Sequence, residues 1–199
     1  MPIIKIMKQI LQRDAPVLRE IAKEVPLDKI GTPAIRKVLA EMKEALASQD
    51  DGVALAAPQI GYPMRIFVVS GKIDDLSDDS APDPDTAEEN APSHGPDLVF
   101  INPVIKKTSK QKKLVEEGCL SVRYLYGKVN RYVKATIEAY DENGKKFERG
   151  AKGLLAQIFQ HETDHLNGIL FIDKARDVED LPPAPIRSEA KTKAKKTHA

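Results

Sequence analysis

The sequence contains one cysteine and no tryptophan in 199 residues. A disulfide within the chain is therefore excluded, and Cys119 is a buried small hydrophobe, a nucleophile or a metal ligand. Net charge is nearly absent: 31 Lys and Arg against 30 Asp and Glu leave +1. That balance gives no whole-chain argument for a nucleic-acid or membrane partner. No apolar run approaches the ~20 residues that span a bilayer. The N-terminal MPIIKIMKQILQRDAP lacks the apolar core and small-residue cleavage site of a signal peptide. There is no internal repeat and no Gly-rich phosphate loop. These absences lead to the expectation of a cytoplasmic protein. With 41% hydrophobic and 31% charged residues, the chain suits one globular domain with additional segments.

What is present divides the chain. Ile35, Val38, Leu39, Met42, Ala45 and Leu46 recur at helical spacing. They predict a helix from about Thr32 to about Leu46, with Thr32 as cap and Pro33 in the first turn. Residues 65–69 read as a strand, as does Leu98–Ile101. Ala135 to Tyr140 alternates and meets Asn143-Gly144, a strong hairpin signal. Leu154 to about Asn167 predicts a second helix, with Gly168 ending it. Residues 71–97 are rich in Asp, Glu, Pro and Ser and predict a mobile acidic insertion in a domain spanning 1–175. Residues 176–199 turn acidic, then Pro-rich, then basic, and predict a disordered tail.

The second helix carries His161-Glu162-Thr163-Asp164-His165. Residues four apart advance by about 400°, so both imidazoles lie on one face and can grip one ion. Glu162 falls beside that ion, where it can take a proton from water. The pattern also occurs by chance on solvated helices, but the preceding Leu154, Leu155 and Ile158 mark this helix as buried. Buried imidazoles and a carboxyl need partners. A catalytic site of this type uses three protein ligands and keeps one position open. In H-E-x-x-H-x-x-G-x-x-H peptidases the third is a histidine, yet Phe171 stands at that position here. His94 and His198 lie in the insertion and the tail. That leaves Cys119, in Glu116-Glu117-Gly118-Cys119-Leu120-Ser121.

Three motifs now stand in order: GVALAAPQ (Gly52 to Gln59), EGCLS (Glu117 to Ser121) and QHETDH (Gln160 to His165). Together they resemble the peptide deformylase family, and the similarity runs from about Ile10 to Lys174. The resemblance implies an α+β fold, with antiparallel sheets around a central helix bearing the H-E-x-x-H residues. It implies metal-dependent hydrolysis that removes the formyl group from the N-terminal formyl-methionine of new polypeptides, releasing formate. The metal would be held by Cys119, His161 and His165: ferrous iron, with zinc or nickel able to substitute. Glu162 would shuttle the proton. Gln59 and the Leu120 N–H would donate to the developing oxyanion, which gives a purpose to the one amide in an apolar stretch that otherwise reads as a turn. Gly52, Val53, Ala54, Leu55 and Gly118 would line the substrate channel, and Glu117 would pair with Arg131. Asp164 and Gln160 are either orienting residues or ordinary helix-surface groups.

Two departures from the family pattern stand out. Ala54 replaces the usual second Gly, and Arg123 stands where a Pro usually follows. They leave open a metal-binding family member with impaired catalysis. A metallopeptidase with a third ligand other than Cys119 is the other reading. The basic Lys191–Lys196 run is either a solvated tail or a contact to ribosomal RNA; no sequence-specific nucleic-acid site and no membrane partner are expected.

Overall fold

The computed structural model describes residues 7–73 and 95–182. Most of the 71–97 segment, the tail beyond Pro182, and with them His94, His198 and Lys191–Lys196 lie outside those residues. Helix α1, Pro33–Ala47, buries the apolar face expected of it. Thr32 precedes it, but its hydroxyl donates backwards to the Lys29 carbonyl (2.7 Å) and caps no helical N–H. The Lys29 carbonyl closes a 3-10 turn and captures the hydroxyl first, so Pro33 is the expected start signal that operates.

Among the described residues, eight strands form two antiparallel sheets. Their ranges are β1 Ala54–Ala56, β2 Ile66–Val69, β3 Leu98–Thr108, β4 Lys112–Gly118, β5 Leu125–Tyr132, β6 Lys134–Tyr140, β7 Lys146–Lys152 and β8 Arg176–Asp180. The first sheet runs β1-β2-β3-β6-β7 and the second β4-β5-β8. The chain passes between sheets at β3–β4 and returns at β5–β6. Both turns meet at one corner, where Ser109 N donates to Lys134 O (3.0 Å) and Val133 N to Gln111 O (3.2 Å). The predicted Asn143-Gly144 turn joins β6 to β7, with Gly144 at φ +81°. In β3 the register slips between Ile101 and Val104. Pro103 has no N–H for the ladder, and Asn102 turns its amide to bracket the Val25 backbone, with bonds of 2.8 and 2.7 Å.

Helix α2, Gly153–Leu166, lies between the sheets. It packs on β1, β3, β6 and β7 of the first and on β5 of the second. Burial on several sides is what its apolar run anticipates. Phe159 inserts against Phe67 and Phe100, ring centroids 6.4 and 5.2 Å away. The α+β fold with a central helix is therefore observed.

The boundary at residue 175 needs correction. Arg176–Asp180 pairs with β5, Leu125 opposite Asp180 and Tyr126 opposite Glu179. This strand is exposed throughout, so its RDVED sequence has no apolar alternation to reveal it. β4 and β5 also escape pattern reading, because charged residues fill their outer positions.

Gly168 follows α2 at φ +72°, and a Cβ there would lie 2.6 Å from the Arg19 carbonyl oxygen. Gly168→Ala is expected to lower the unfolding free energy by roughly 1–3 kcal/mol, from left-handed strain plus backbone displacement. Denaturant titration reads this directly, and an unchanged midpoint would refute it.

Candidate metal centre

The helical spacing places His161 and His165 one turn apart, ring centroids 4.9 Å from each other. The loop after β4 carries Cys119 to the same face. The thiol and one ring nitrogen from each histidine lie within 4.8 Å of one another, and Cys119 Sγ is 3.2 Å from His165 Nε2. A thiol with two imidazoles is a donor set suited to a divalent transition metal. Phe171, at the position of the peptidase histidine, is buried and stacks on the His161 ring at 6.3 Å. It supports the imidazole by packing and offers no donor.

One cation holds this arrangement in place. Arg131 on β5 donates from Nε and Nη2 to the two oxygens of Glu117 (2.7 and 2.9 Å) and from Nη1 to Asp164 (2.6 Å). Glu117 also meets His161 Nδ1 at 2.9 Å, which turns the ring's other nitrogen toward the cleft. Lys174 completes the array on Asp164 at 2.7 Å. Gln160 brackets the Tyr132 backbone, accepting from its N–H (2.9 Å) and donating to its carbonyl (3.0 Å). Glu117, Arg131, Asp164 and Gln160 thus all hold the site together, and none is a solvated surface charge.

Titration follows from burial and these contacts. Burial alone would raise the Glu117 carboxyl, but hydrogen bonds from Arg131 and then His161 outweigh it and hold the group down at about 2. Glu162 lacks such donors: burial, reinforced by the Glu117 charge against His161 and Arg131, pushes it up to about 7. Its Oε2 is buried without a hydrogen-bond partner among the described residues. Burial holds His165 well below its ordinary value, in the neutral form a ligand needs. Burial also opposes charge on His161, but Cys119 and Glu117 outweigh it and raise that ring well above the usual range.

A cleft of about 310 Å³ opens over these groups, with Glu162, Cys119, Gln59 and Leu120 in its walls. Gln59 is fixed at both ends: its Oε1 accepts from Ala56 N (2.7 Å) and its Nε2 donates to Ser121 Oγ (3.1 Å), with Cys119 Sγ at 3.6 Å. Gly52, Val53, Ala54 and Gly118 also line the cleft. Gly118 leaves room for the Tyr126 ring, which a Cβ there would approach to 2.7 Å and displace. Leu55 does not line it. The period-two alternation of β1 turns this side chain into the core beneath α1, so its expected place in the channel is corrected.

Sequence reading missed several residues. Gln12 donates to the Leu120 carbonyl (3.0 Å) and accepts from Arg123 N (3.4 Å), clasping the Cys119 loop. Arg123 bridges the cleft mouth to Asp51 (2.5 and 3.0 Å) and Gln49 (3.0 Å). Tyr124 and Tyr126 add an aromatic rim. A lone Gln 108 positions from its partner leaves no local pattern to find.

A mixed fold in which a buried helix brings two imidazoles and a carboxyl, and the loop after β4 a thiol, to one cleft defines a metal-dependent hydrolase type. Comparison narrows it. The family described as polypeptide deformylase matches residues 7–180. "Peptide deformylase" of Mesorhizobium japonicum is 37% identical over 182 residues, covering 90% of each chain. "Peptide deformylase 1A, chloroplastic" of Solanum lycopersicum is 38% identical over 88% of this chain, but only 64% of its own length is matched. This chain therefore spans under two thirds of that plant relative. A peptide deformylase from Synechococcus elongatus, solved in complex with actinonin, superposes with TM-score 0.69 at 32% identity, covering 89% of this chain and 83% of the other. The chain belongs to the polypeptide deformylase family.

Cutting the central cation should be costly. Arg131→Met leaves the buried Glu117 with His161 as its one remaining partner, and is expected to destabilise the fold by roughly 3–5 kcal/mol. The Glu117 carboxyl titrates lower folded than unfolded, so its contribution is complete above about pH 4.5 and lost as pH falls towards about 2. Unfolding curves measured from pH 6 to pH 2.5 should therefore converge between wild type and Arg131→Met. A constant gap across that range would be incompatible with this pairing.

Proposed function

We propose that this chain removes the formyl group from the N-terminal formyl-methionine of newly made polypeptides, releasing formate. The observation that carries the reading is the convergence of Cys119, His161 and His165 within 4.8 Å, beside the buried Glu162. Family membership supports it. These three side chains are the proposed ligands, and ferrous iron is the proposed ion, with zinc or nickel as substitutes because thiolate and imidazole accept several divalent ions. Such an ion would supply a Lewis acid and a water whose pKa is lowered to about 7.

The chain's own residues handle everything else. Glu162, unpaired at Oε2, accepts the proton of the attacking water. It later returns that proton to the amine nitrogen as the C–N bond breaks. Water is thus consumed, and formate and a free amino terminus result. Gln59 uses one amide hydrogen on Ser121; the other, only loosely directed at Cys119 Sγ, is the one offered to the formyl oxygen as negative charge builds there. The Cys119–Leu120 peptide is fixed through the Cys119 carbonyl, which accepts from Val122 N (3.0 Å), and its Leu120 N–H is the donor offered to the same oxygen. Substrate lies along Val53 and Ala54, at the start of β1, the edge strand of its sheet.

The proposal extends to setting: formylated nascent chains as partners, and the cytoplasm as compartment. Nearly full-length matches to bacterial relatives support this, although two plant relatives carry organelle names. No helix among the described residues is long and apolar enough to cross a membrane. The residue boundaries we propose for the catalytic domain are 7–180.

Formate release from a formyl-Met peptide, after anaerobic loading with ferrous iron, tests the proposal. Turnover is expected, and Cys119→Ala should abolish tight metal binding. An inert, metal-loaded protein would leave the impaired-member reading standing. Metal retained by Cys119→Ala would favour the peptidase reading. Glu162→Gln should keep its metal and lose about 10²–10⁴-fold in kcat, the usual range for general acid–base catalysis. For wild type, kcat/KM should fall with unit slope as pH drops and Glu162 takes up a proton. A nearby cation favours the carboxylate, so the limb should lie below 7 in the loaded enzyme. Persistence of that limb in Glu162→Gln would remove Glu162 from the role.

A further inference from the structure

The corner where both sheets exchange strands carries a concentration of positive charge that the proposed reaction does not use. From Leu98 to Val115 the chain has five lysines (Lys106, Lys107, Lys110, Lys112 and Lys113) and no Asp or Glu. All five are exposed. The β5–β6 turn adds exposed Lys134, hydrogen-bonded into the same corner: Lys134 N donates to Ser109 Oγ (3.2 Å) and Lys134 O accepts from Ser109 N (3.0 Å). No acid occurs from Arg131 to Ile137 or from Arg149 to His161. Lys107, Lys110, Lys113 and Lys134 make no ion pair among the described residues. Lys106 reaches Glu138 only at 3.8 Å, and that carboxylate also serves Lys146 at 3.1 Å. Lys112 lies over the Tyr132 ring at 4.4 Å. In a chain of net charge +1, so many uncompensated charges on one rigid corner oppose each other unless an anion joins them.

We propose that this corner is a docking surface for the sugar-phosphate backbone of structured RNA. Lysines are point charges on flexible stems, and with no arginine fork at the tip they suit a repeating anion read in any register. The tip residues Thr108, Ser109 and Gln111 are polar hydrogen-bonding groups that can add phosphate or 2′-hydroxyl contacts. None is an aromatic or long apolar side chain of the sort that anchors a surface in lipid. Lys112 and Glu117 lie five residues apart on β4, about 17 Å at strand rise. Backbone docked at the corner therefore leaves the cleft open, as an enzyme working beside a ribonucleoprotein surface requires. That last consequence rests on the proposed function; binding to RNA does not.

The test is equilibrium binding of the full-length chain to a labelled 20-base-pair RNA duplex, and to vesicles with about one third anionic lipid, at several salt concentrations. Neutralising about five phosphates gives a log K against log salt slope of about −4.5, a weakening of about 500-fold between 50 and 200 mM. The triple variant Lys107→Glu/Lys110→Glu/Lys113→Glu should reduce that slope by about 3. Reversal of three distant lysines, Lys29→Glu/Lys37→Glu/Lys43→Glu, should leave it nearly intact. Formate release from a small formyl-Met peptide should be equal in wild type and the corner variant, which also certifies folding. If the corner variant fails to fold, Lys107→Gln/Lys110→Gln replaces it, with an expected slope change of about 2. Undiminished RNA binding by the corner variants, no RNA binding by wild type, or vesicle binding without RNA binding would each overturn the proposal. Lack of peptide turnover alongside corner-dependent RNA binding would defeat only the catalytic reading.

Discussion

A single buried guanidinium organises the active region. Arg131 sits on β5, Glu117 on β4, and Asp164 and His161 on α2, so its three donors tie two strands of one sheet to the central helix. Glu117 relays the constraint by meeting His161 Nδ1, and so decides which ring nitrogen faces Cys119. Burying three charges is expensive, and a well-packed apolar substitute would often be at least as stable. The array therefore makes more sense as a device for orientation than as a source of stability. It supplies the supporting shell that a metal site needs to hold its donors to within a fraction of an ångström.

The two departures from the family pattern look different once their surroundings are known. A proline at position 123 would fix the loop through its ring and would carry no N–H. Here Arg123 gives its N–H to Gln12 and its guanidinium to Asp51 and Gln49. Three side-chain contacts thus restrain the loop that proline would have restrained covalently. Ala54 faces the cleft from β1 and is almost wholly buried, paired in register with Val69. Its methyl group narrows the wall without touching the donor set. Both changes act on substrate fit and loop rigidity, and neither removes a proton carrier or a proposed ligand.

Legibility from sequence followed range of interaction. His161, Glu162 and His165 were readable because helical geometry is local and their spacing is fixed by it. Cys119, 42 positions away, was reached because no other donor remained; Gln12 and Asp51, distant residues that hold its loop, could not be. Helix α1 and the β6–β7 hairpin declared themselves through apolar period and turn chemistry. Strands β4, β5 and β8 did not, since lysines, tyrosines and acids on their outer faces hide the alternation. Leu55 was misplaced for a simpler reason: a motif names consecutive residues, while a strand sends alternate ones to opposite sides.

The amide at position 59 has a physical rationale that a charged donor would lack. The other buried and part-buried carboxylates beside the cleft are answered: Glu117 and Asp164 by Arg131, and Asp164 again by Lys174. Among the buried carboxyls lining the cleft, Glu162 alone keeps an oxygen without a hydrogen-bond partner, and mainly burial holds it at about 7. A lysine or arginine in place of Gln59 would donate a hydrogen bond equally well. It would also depress a neighbouring carboxyl by about 1–3 pH units, and so weaken it as a base near neutrality. It would compete, too, with a divalent ion for the Cys119 sulfur. Gln59 donates without either effect, and its anchoring by Ala56 and Ser121 removes the reorganisation that a loose amide would need. Neutrality at this position and the isolation of Glu162 are two sides of one electrostatic requirement.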